Sequence, residues 1–386
     1  MTGWWKGAVL AGILLVSQAR SDARPPSDPA FEALARQGID HVYNLEFEKA
    51  ETEFQALIRM NPGHPAGYFF SAMVQWWRIM IDIDNEQYDR QFLKALDGVV
   101  DMCDSLLERN PNDVTAIFFK GGAIGFQGRL KFHRNDYLGA ANAGRKALPL
   151  VQDASALDPT NFDILLGSGI YNYYAEVIPG EYPFVKPLIL FIPPGDRKKG
   201  IEQLTLASQK GIYASVEASY FLMQIYYFYE RDYFQALDLA RRLTARFPNN
   251  MLFHRYVGRC DVALGNWSAA EPVFLEIAAR ARKGMRGYGA AVEREAEYYL
   301  GVAAMGARRL DDALAHFYRC DELSRVLDKN EQSGFMALSN LKMGMAYDAQ
   351  SRRDLALAQY RKVLDMKDYK DTHAQAEQYT RFPFTQ

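Results

Sequence analysis

One spacing recurs along this chain and restricts its fold more than any other feature: a glycine, an aromatic at a turn, an alanine, then a second aromatic. The clearest copy opens at Met251, with Gly258, Gly265-Asn266-Trp267, Ala270, Phe274 and Ile277. A copy from Arg294 places Gly301, Leu310, Ala313, Phe317 and Cys320 at the same offsets, and one from Phe31 places Gly38, Phe47, Ala50, Phe54, Leu57 and Pro62. These spacings describe two helices joined by a short turn. The glycine lets the second helix come close, the alanine does the same in return, and the aromatics fill the seam. A helix pair of this kind cannot bury its apolar face alone, so copies must stack. The chain is expected to be all-α, a solenoid of about eight helix pairs.

The remaining copies follow from their proline and small-residue anchors. Repeat two has a first helix from Pro65 to about Asp82, a connection near Asn85 and a second helix ending at Asn110-Pro111. Repeat three starts near Val114 with Gly121 and carries Ala147 before Asp158-Pro159. Repeat four starts near Phe162 with Gly167 and Gly169, and its second helix is delayed to about Asp196–Lys210. Repeat five ends with Tyr233, Ala236, Ala240, Leu243 and Pro248; repeat eight shows Gly344, Tyr347, Ala356, Tyr360 and Val363. Asn110-Pro-Asn-Asp, Asp158-Pro-Thr-Asn and Phe247-Pro-Asn-Asn each join a helix stop to N-cap residues for the next helix. No period-2 run long enough for a strand stands out. The tail, 367–386, suits a capping helix with a loose end.

From Phe31 to Met366 the chain resembles the tetratricopeptide repeat family, specifically in repeats one and five to eight, and diffusely in two to four. A second resemblance lies in one segment. Gly169-Ile-Tyr-Asn172, the prolines after it and Gly195-Asp-Arg-Lys-Lys-Gly200-Ile-Glu-Gln-Leu204 look like part of a eukaryotic tetratricopeptide family linked to mitochondrial outer membranes and inclusion-body clearance. The first resemblance implies a scaffold that holds a protein or peptide partner.

Residues 1–23 are a separate object. Lys6 precedes an apolar run from Ala8 to Val16, and small residues follow at Ser17, Ala19, Ser21 and Ala23. That is the layout of a cleaved export signal, with cleavage after Ala19 or Ala23, and a periplasmic destination if the host is bacterial. The run is well short of the roughly 20 residues that span a bilayer. Residues 24–30 read as an unstructured lead-in, 31–366 as the solenoid. The net charge of −2 offers no attraction to nucleic acid. Cys103, Cys260 and Cys320 each fall within a helix and read as small buried hydrophobes rather than a disulfide set.

In a tetratricopeptide stack the first helices line the concave face. Here that face is apolar: Phe69, Met73, Trp76 and Trp77 in repeat two, Phe118 and Phe126 in repeat three, Ile170, Tyr173 and Tyr174 in repeat four, and Phe221, Ile225, Phe228 and Tyr229 in repeat five. So large an apolar surface does not normally face water. Either a ligand covers it, which makes it a groove for a peptide, an amphipathic helix or a lipid-like molecule, or the chain covers it. The segment 177–195, VIPGEYPFVKPLILFIPPG, is the chain's own candidate: its prolines exclude a regular helix throughout. It either plugs the groove over Tyr173, Tyr174 and Phe228 or lies on a membrane surface through Phe184, Leu188, Leu190, Phe191 and Ile192; the missing long basic face favours the plug.

Three polar features remain. Gly195-Asp-Arg-Lys-Lys-Gly200 reads as a helix start capped by Asp196, without the Gly-Lys-Ser/Thr ending of a phosphate loop. Arg255 and Arg259 face the groove in repeat six, either as a clamp for a carboxylate such as a peptide C-terminus or as partners of groove acids such as Glu295. The histidines have no metal-ligand spacing, and no nucleophile elbow or dinucleotide fingerprint occurs. The expectation is a non-enzymatic scaffold without cofactor that binds a protein or peptide. The alternative is a carrier of an apolar ligand, or a peripheral membrane-surface factor, using the same groove.

Overall fold

The computed structural model describes residues 28–183, 186, 193–329 and 333–385. The leader and Phe184, Leu188, Leu190, Phe191 and Ile192 of the proline-rich segment lie outside the described residues. Eight antiparallel helix pairs follow one another: α1 (Pro29–Tyr43) with α2 (Phe47–Met60), α3 (Pro65–Ile81) with α4 (Asp89–Arg109), α5 (Val114–His133) with α6 (Tyr137–Leu157), and α7 (Ile164–Glu181) with α8 (Arg197–Lys210). Then come α9 (Ser215–Ile225) with α10 (Tyr233–Arg246), α11 (Met251–Ala263) with α12 (Trp267–Arg282), α13 (Ala290–Gly306) with α14 (Leu310–Leu327), and α15 (Gly334–Ala349) with α16 (Arg353–Leu364). A last helix, α17 (Thr372–Arg381), covers the end of the stack. The described residues contain no strand.

The punctuation works as its chemistry requires. Asp113, Asp136, Asp196 and Asp232 accept hydrogen bonds from the backbone N–H of Ala116, Gly139, Lys199 and Gln235, capping α5, α6, α8 and α10. Two boundaries differ from the sequence expectation. Asp28 caps α1 with Pro29 at its first turn, so helix begins within the lead-in. Helix α7 runs on through Pro179 to Glu181, because a single proline removes one ladder bond without ending a helix whose flanks are packed. The three cysteines are free and buried, and burial pushes each thiol up to about 12.

The stack does not stay open. The turn between α1 and α2 reaches across the superhelix to repeats five and six. The Asn250 side-chain amide donates to the Tyr43 carbonyl at 2.7 Å, the Asn249 N–H donates to Asn44 Oδ1 at 3.2 Å, and Arg246 pairs with Asp40 at 2.7 Å. Arg286, from the α12–α13 loop, donates to both carboxylate oxygens of Glu48 at 2.8 Å and to the Leu45 carbonyl at 2.9 Å. Aromatic rings continue the contact: Tyr43 meets Trp77 at 4.9 Å between centroids, and Trp77 meets Phe253 at 5.8 Å. The first helices of repeats one to five therefore surround a shared interior, and one apolar core runs from α1 to α11.

Candidate functional site

Within that closed turn lies a cavity of about 820 Å³. Its walls come from α3 through Phe69 and Met73, α5 through Phe118 and Phe126, α7 through Ile170 and Tyr174, and α9 and its extension through Phe221 and Tyr229. Helix α6 contributes the small residues Ala140, Ala141, Gly144 and Ala147 alongside Tyr137, Leu148 and Val151. The opening has a local cause in α5. Gly128 lets Ala143 approach so closely that a Cβ there would lie 2.9 Å from the alanine methyl, whereas a Cβ on Gly125 would meet nothing within 4 Å. Glycine draws α6 in at one point and leaves unfilled space a turn earlier.

The rings are mutually braced. Tyr174 packs edge-on against Tyr173, Tyr229 and Phe221 at centroid distances of 5.2, 5.7 and 6.3 Å. Tyr229 reaches the wall because α9 widens into a π-turn over Tyr226–Glu230 that ends at left-handed Arg231. Such bulges re-aim side chains.

A few polar side chains interrupt the apolar lining, among them Arg129, Asp163, Glu217 and Gln224. Arg129 projects from α5, pairs with Glu217 of α9 through its Nη1, and lies over the rings of Phe221 and Trp76 at 4.5 and 4.8 Å. The second Glu217 oxygen accepts from the Tyr43 hydroxyl at 2.6 Å. Burial, then the Glu217 charge, raises the Tyr43 hydroxyl far above the usual tyrosine range. This Tyr43–Glu217–Arg129 unit joins repeats one, three and five and gives an otherwise greasy cavity a fixed charged spot. Sequence reading missed it. Its signal was there: Glu217 is the only acid in α9, and Arg129 sits among the glycines and rings of α5.

The sequence-derived site residues divide. Phe69, Met73, Trp77, Phe118, Phe126, Tyr174, Phe221 and Tyr229 are brought to the cavity. Trp77 forms its floor with only 1 % of its surface exposed, because Tyr43 and Phe253 cover its other faces. Trp76 is not part of the wall; it is fully buried between Phe92 and Phe126. Tyr173 is also in the core, where its hydroxyl donates to Glu230 at 2.6 Å, and Glu230 in turn holds Arg197. Phe228 points away and stands 53 % exposed against Tyr227 and Tyr256. The continuous patch expected from these aromatics is thus split between wall, core and outer surface.

Arg255 and Arg259 converge on one carboxylate. Arg255 Nε reaches Glu295 Oε2 at 2.9 Å and Arg259 Nη2 reaches the same atom at 2.7 Å, and each arginine makes a second, shorter bond to Glu295. Burial alone would raise the Glu295 carboxyl, but the two guanidinium charges outweigh it and hold the group at about 2. Both forks are engaged within the chain, the second of the two readings open in the sequence. Among the described residues no group of three or more histidine, cysteine or acidic side chains is placed to hold a metal.

One comparison with known families agrees with the repeat pattern in part of the chain. The tetratricopeptide repeat model matches residues 225–285, the end of α9 through α12, where the glycine–alanine–aromatic spacing is clearest. The chain carries tetratricopeptide repeats. No curated protein matches it. Among solved structures it is similar to YrrB, described as a tetratricopeptide protein with an unusual peptide-binding site, at 15 % identity over 72 % of this chain and 98 % of that one, TM-score 0.35. It is also similar to a human IFIT1 dimer with m7Gppp-AAAA, at 12 % identity over 92 % and 88 % of the two chains, TM-score 0.41. Yeast Tom70 shares 12 % identity over 92 % and 95 %, TM-score 0.30. At such scores none of these likenesses bears on what the tetratricopeptide groove of this chain holds.

Proposed function

We propose that this chain is an exported, non-enzymatic tetratricopeptide scaffold that captures a protein partner by taking an apolar or amphipathic segment into the cavity enclosed by repeats two to five. The observation that supports this reading is the cavity itself. It is about 820 Å³ in volume, walled by rings from the first helices of four successive repeats, with the Arg129–Glu217 pair among its few polar lining groups. Sites of several hundred cubic ångströms with apolar walls and few polar groups are the usual form of a recognition pocket. Amphipathic segments are held by such walls through a few anchoring side chains. Export is supported by the layout of Lys6, the run Ala8 to Val16 and the small residues after it.

The same walls suit a second occupant, an apolar small molecule or lipid tail, because nothing in the lining demands peptide backbone. A photo-crosslinking residue in place of Phe118, used in the native host, separates the two. A protein adduct supports the scaffold, a lipid adduct supports the carrier, and no adduct overturns both. Gly125→Phe with Gly144→Phe supplies the control. Neither position has an atom within 4 Å of an added Cβ, so the rings enter the cavity rather than the core. Replacing helical glycine with phenylalanine is expected to stabilise by at most about 0.5 kcal/mol per site, while crosslinking falls at least tenfold.

A further inference from the structure

Arg129 and Tyr174 carry hydrogen-bond donors that the fold leaves unused. Of the Arg129 side-chain nitrogens only Nη1 is bonded to a described residue, the carboxylate of Glu217. The enclosed polar atoms without a partner include Trp76 Nε1 but neither Nε nor Nη2 of Arg129, so both keep surface on open space. Arg129 lines the cavity and is otherwise covered by the rings of Trp76 and Phe221, so that space is the cavity. The Tyr174 hydroxyl is in the same state, bonded to no described residue and not sealed in. Burial raises it well above the usual tyrosine range, against the opposing pull of the Arg129 charge, and keeps it protonated. Phe221 sets both groups on one part of the wall, with the guanidinium 4.5 Å and the Tyr174 ring 6.3 Å from its own centroid.

Donors in an apolar enclosure require an acceptor, and the charges of the lining restrict which one. Arg129 is the one cation there against two carboxylates, Glu217 and Asp163. His133 adds no charge near neutral pH, because burial first and then the Arg129 and Arg134 charges hold it at about 4. An anionic ligand would therefore add to an existing excess of negative charge in a site that hydrates ions poorly. A cationic ligand would bring donors to donors. Both carboxylates are buried and already accept, Glu217 from Arg129 and Tyr43, Asp163 from the backbone N–H groups of Tyr213 and Ala214. A neutral oxygen acceptor is what remains.

We propose that the occupant of the cavity presents a neutral carbonyl oxygen, flanked by apolar groups, to Arg129 and Tyr174. The two lone pairs of such an oxygen match the two donors, and it brings no donor of its own. Two sources supply this chemistry: the acyl ester of a hydrocarbon chain, and the peptide bond between large apolar side chains. The assignment rests on the reading of the cavity as a binding site and adds the polar contact that the site asks of its ligand.

Displacement of diphenylhexatriene, a hydrocarbon dye without polar atoms, from the full chain tests it. The competitors are methyl decanoate, dodecane as the matching hydrocarbon, a capped tripeptide amide of phenylalanine and leucine, decanoate and decylammonium. Tyr174→Phe removes one hydroxyl and keeps the ring. It should raise the displacing concentration of the ester or the tripeptide roughly threefold to tenfold relative to dodecane. Arg129→Met with Glu217→Gln removes both charges together and should raise that ratio roughly tenfold or more. Tyr174→Phe should melt with wild type, so the test stands even if the double variant does not fold. A rise for the ester alone assigns an acyl lipid, a rise for the tripeptide alone assigns peptide backbone, and either supports the proposal. An unchanged ratio for both in the folded variants overturns it while leaving the cavity a binding site. So does displacement by decanoate or decylammonium at lower concentration than by the ester. No dye binding by wild type overturns the reading of the cavity itself, and the carbonyl assignment with it.

Discussion

The ring of Phe274 occupies the space that Gly258 leaves: a Cβ on Gly258 would lie 2.7 Å from the ring's Cζ. The same relation holds between Gly38 and Phe54, Gly301 and Phe317, and Gly344 and Tyr360. It is the physical content of the recurring spacing. An aromatic on the second helix seats on bare backbone of the first, and Ala270, 1 % exposed, keeps the crossing tight on the other side.

Substitution at that crossing has a testable sign. Gly258→Ala adds helix propensity of about 1 kcal/mol, yet its methyl must displace a ring that packs on all sides. The expected result is net destabilisation, and Ala270→Leu should cost roughly 1–3 kcal/mol through overpacking. Chemical denaturation of each variant decides: a stability equal to or above wild type would show that the seam is looser than these distances imply.

Trp77 and Phe118 both touch the cavity but should behave differently. Trp77 is enclosed by Tyr43, Tyr220 and Phe253, so Trp77→Ala is expected to cost about 3–5 kcal/mol. Phe118 is half-buried on the wall, and Phe118→Ala should lose well under half of that while impairing capture. Thermal melts alone separate the two. Similar melting temperatures would mean that the superhelix does not close over Trp77.

Glu295 makes stability depend on acid. Its carboxyl is held at about 2 in the fold against an ordinary value of 4.5. Because the folded value is the lower one, its contribution is complete above about pH 4.5 and is lost as pH falls toward 2. Glu295→Gln leaves Arg255 and Arg259 without a counter-charge and should cost roughly 3–5 kcal/mol at neutral pH. Urea midpoints of wild type and variant should converge as pH is lowered from neutral to about 3. A gap that stays constant would show that the pair is not ionised as described.

The helix pairs were legible because their determinants are local. Glycine–aromatic offsets, caps such as Asp136 and Asp232, and prolines before each new helix act within one repeat, so a linear reading recovers all eight pairs and the final cap. The concave aromatics were legible as a set, since repeat register places first-helix side chains on one side. Their division was not. Trp76, Tyr173 and Phe228 occupy the register of wall residues, yet one is enclosed by α4 and α5, one is tied to Glu230, and one is turned outward by the π-turn after Ile225. The Tyr43–Glu217–Arg129 unit was equally out of reach, because its three residues come from repeats one, five and three.

The amino-acid sequence by itself determined the class of structure, the number of repeats and the apolar character of the inner face, all of which follow from spacings shorter than one repeat. Only the tertiary structure decided that the inner face closes on itself. That closure depends on small rotations accumulated over five repeats, which bring Tyr43 beside Asn250 and Arg286 beside Glu48, more than two hundred residues apart in each case. No local pattern encodes a sum of rotations. The closure in turn determines which rings are floor, which are wall, and where an opening remains.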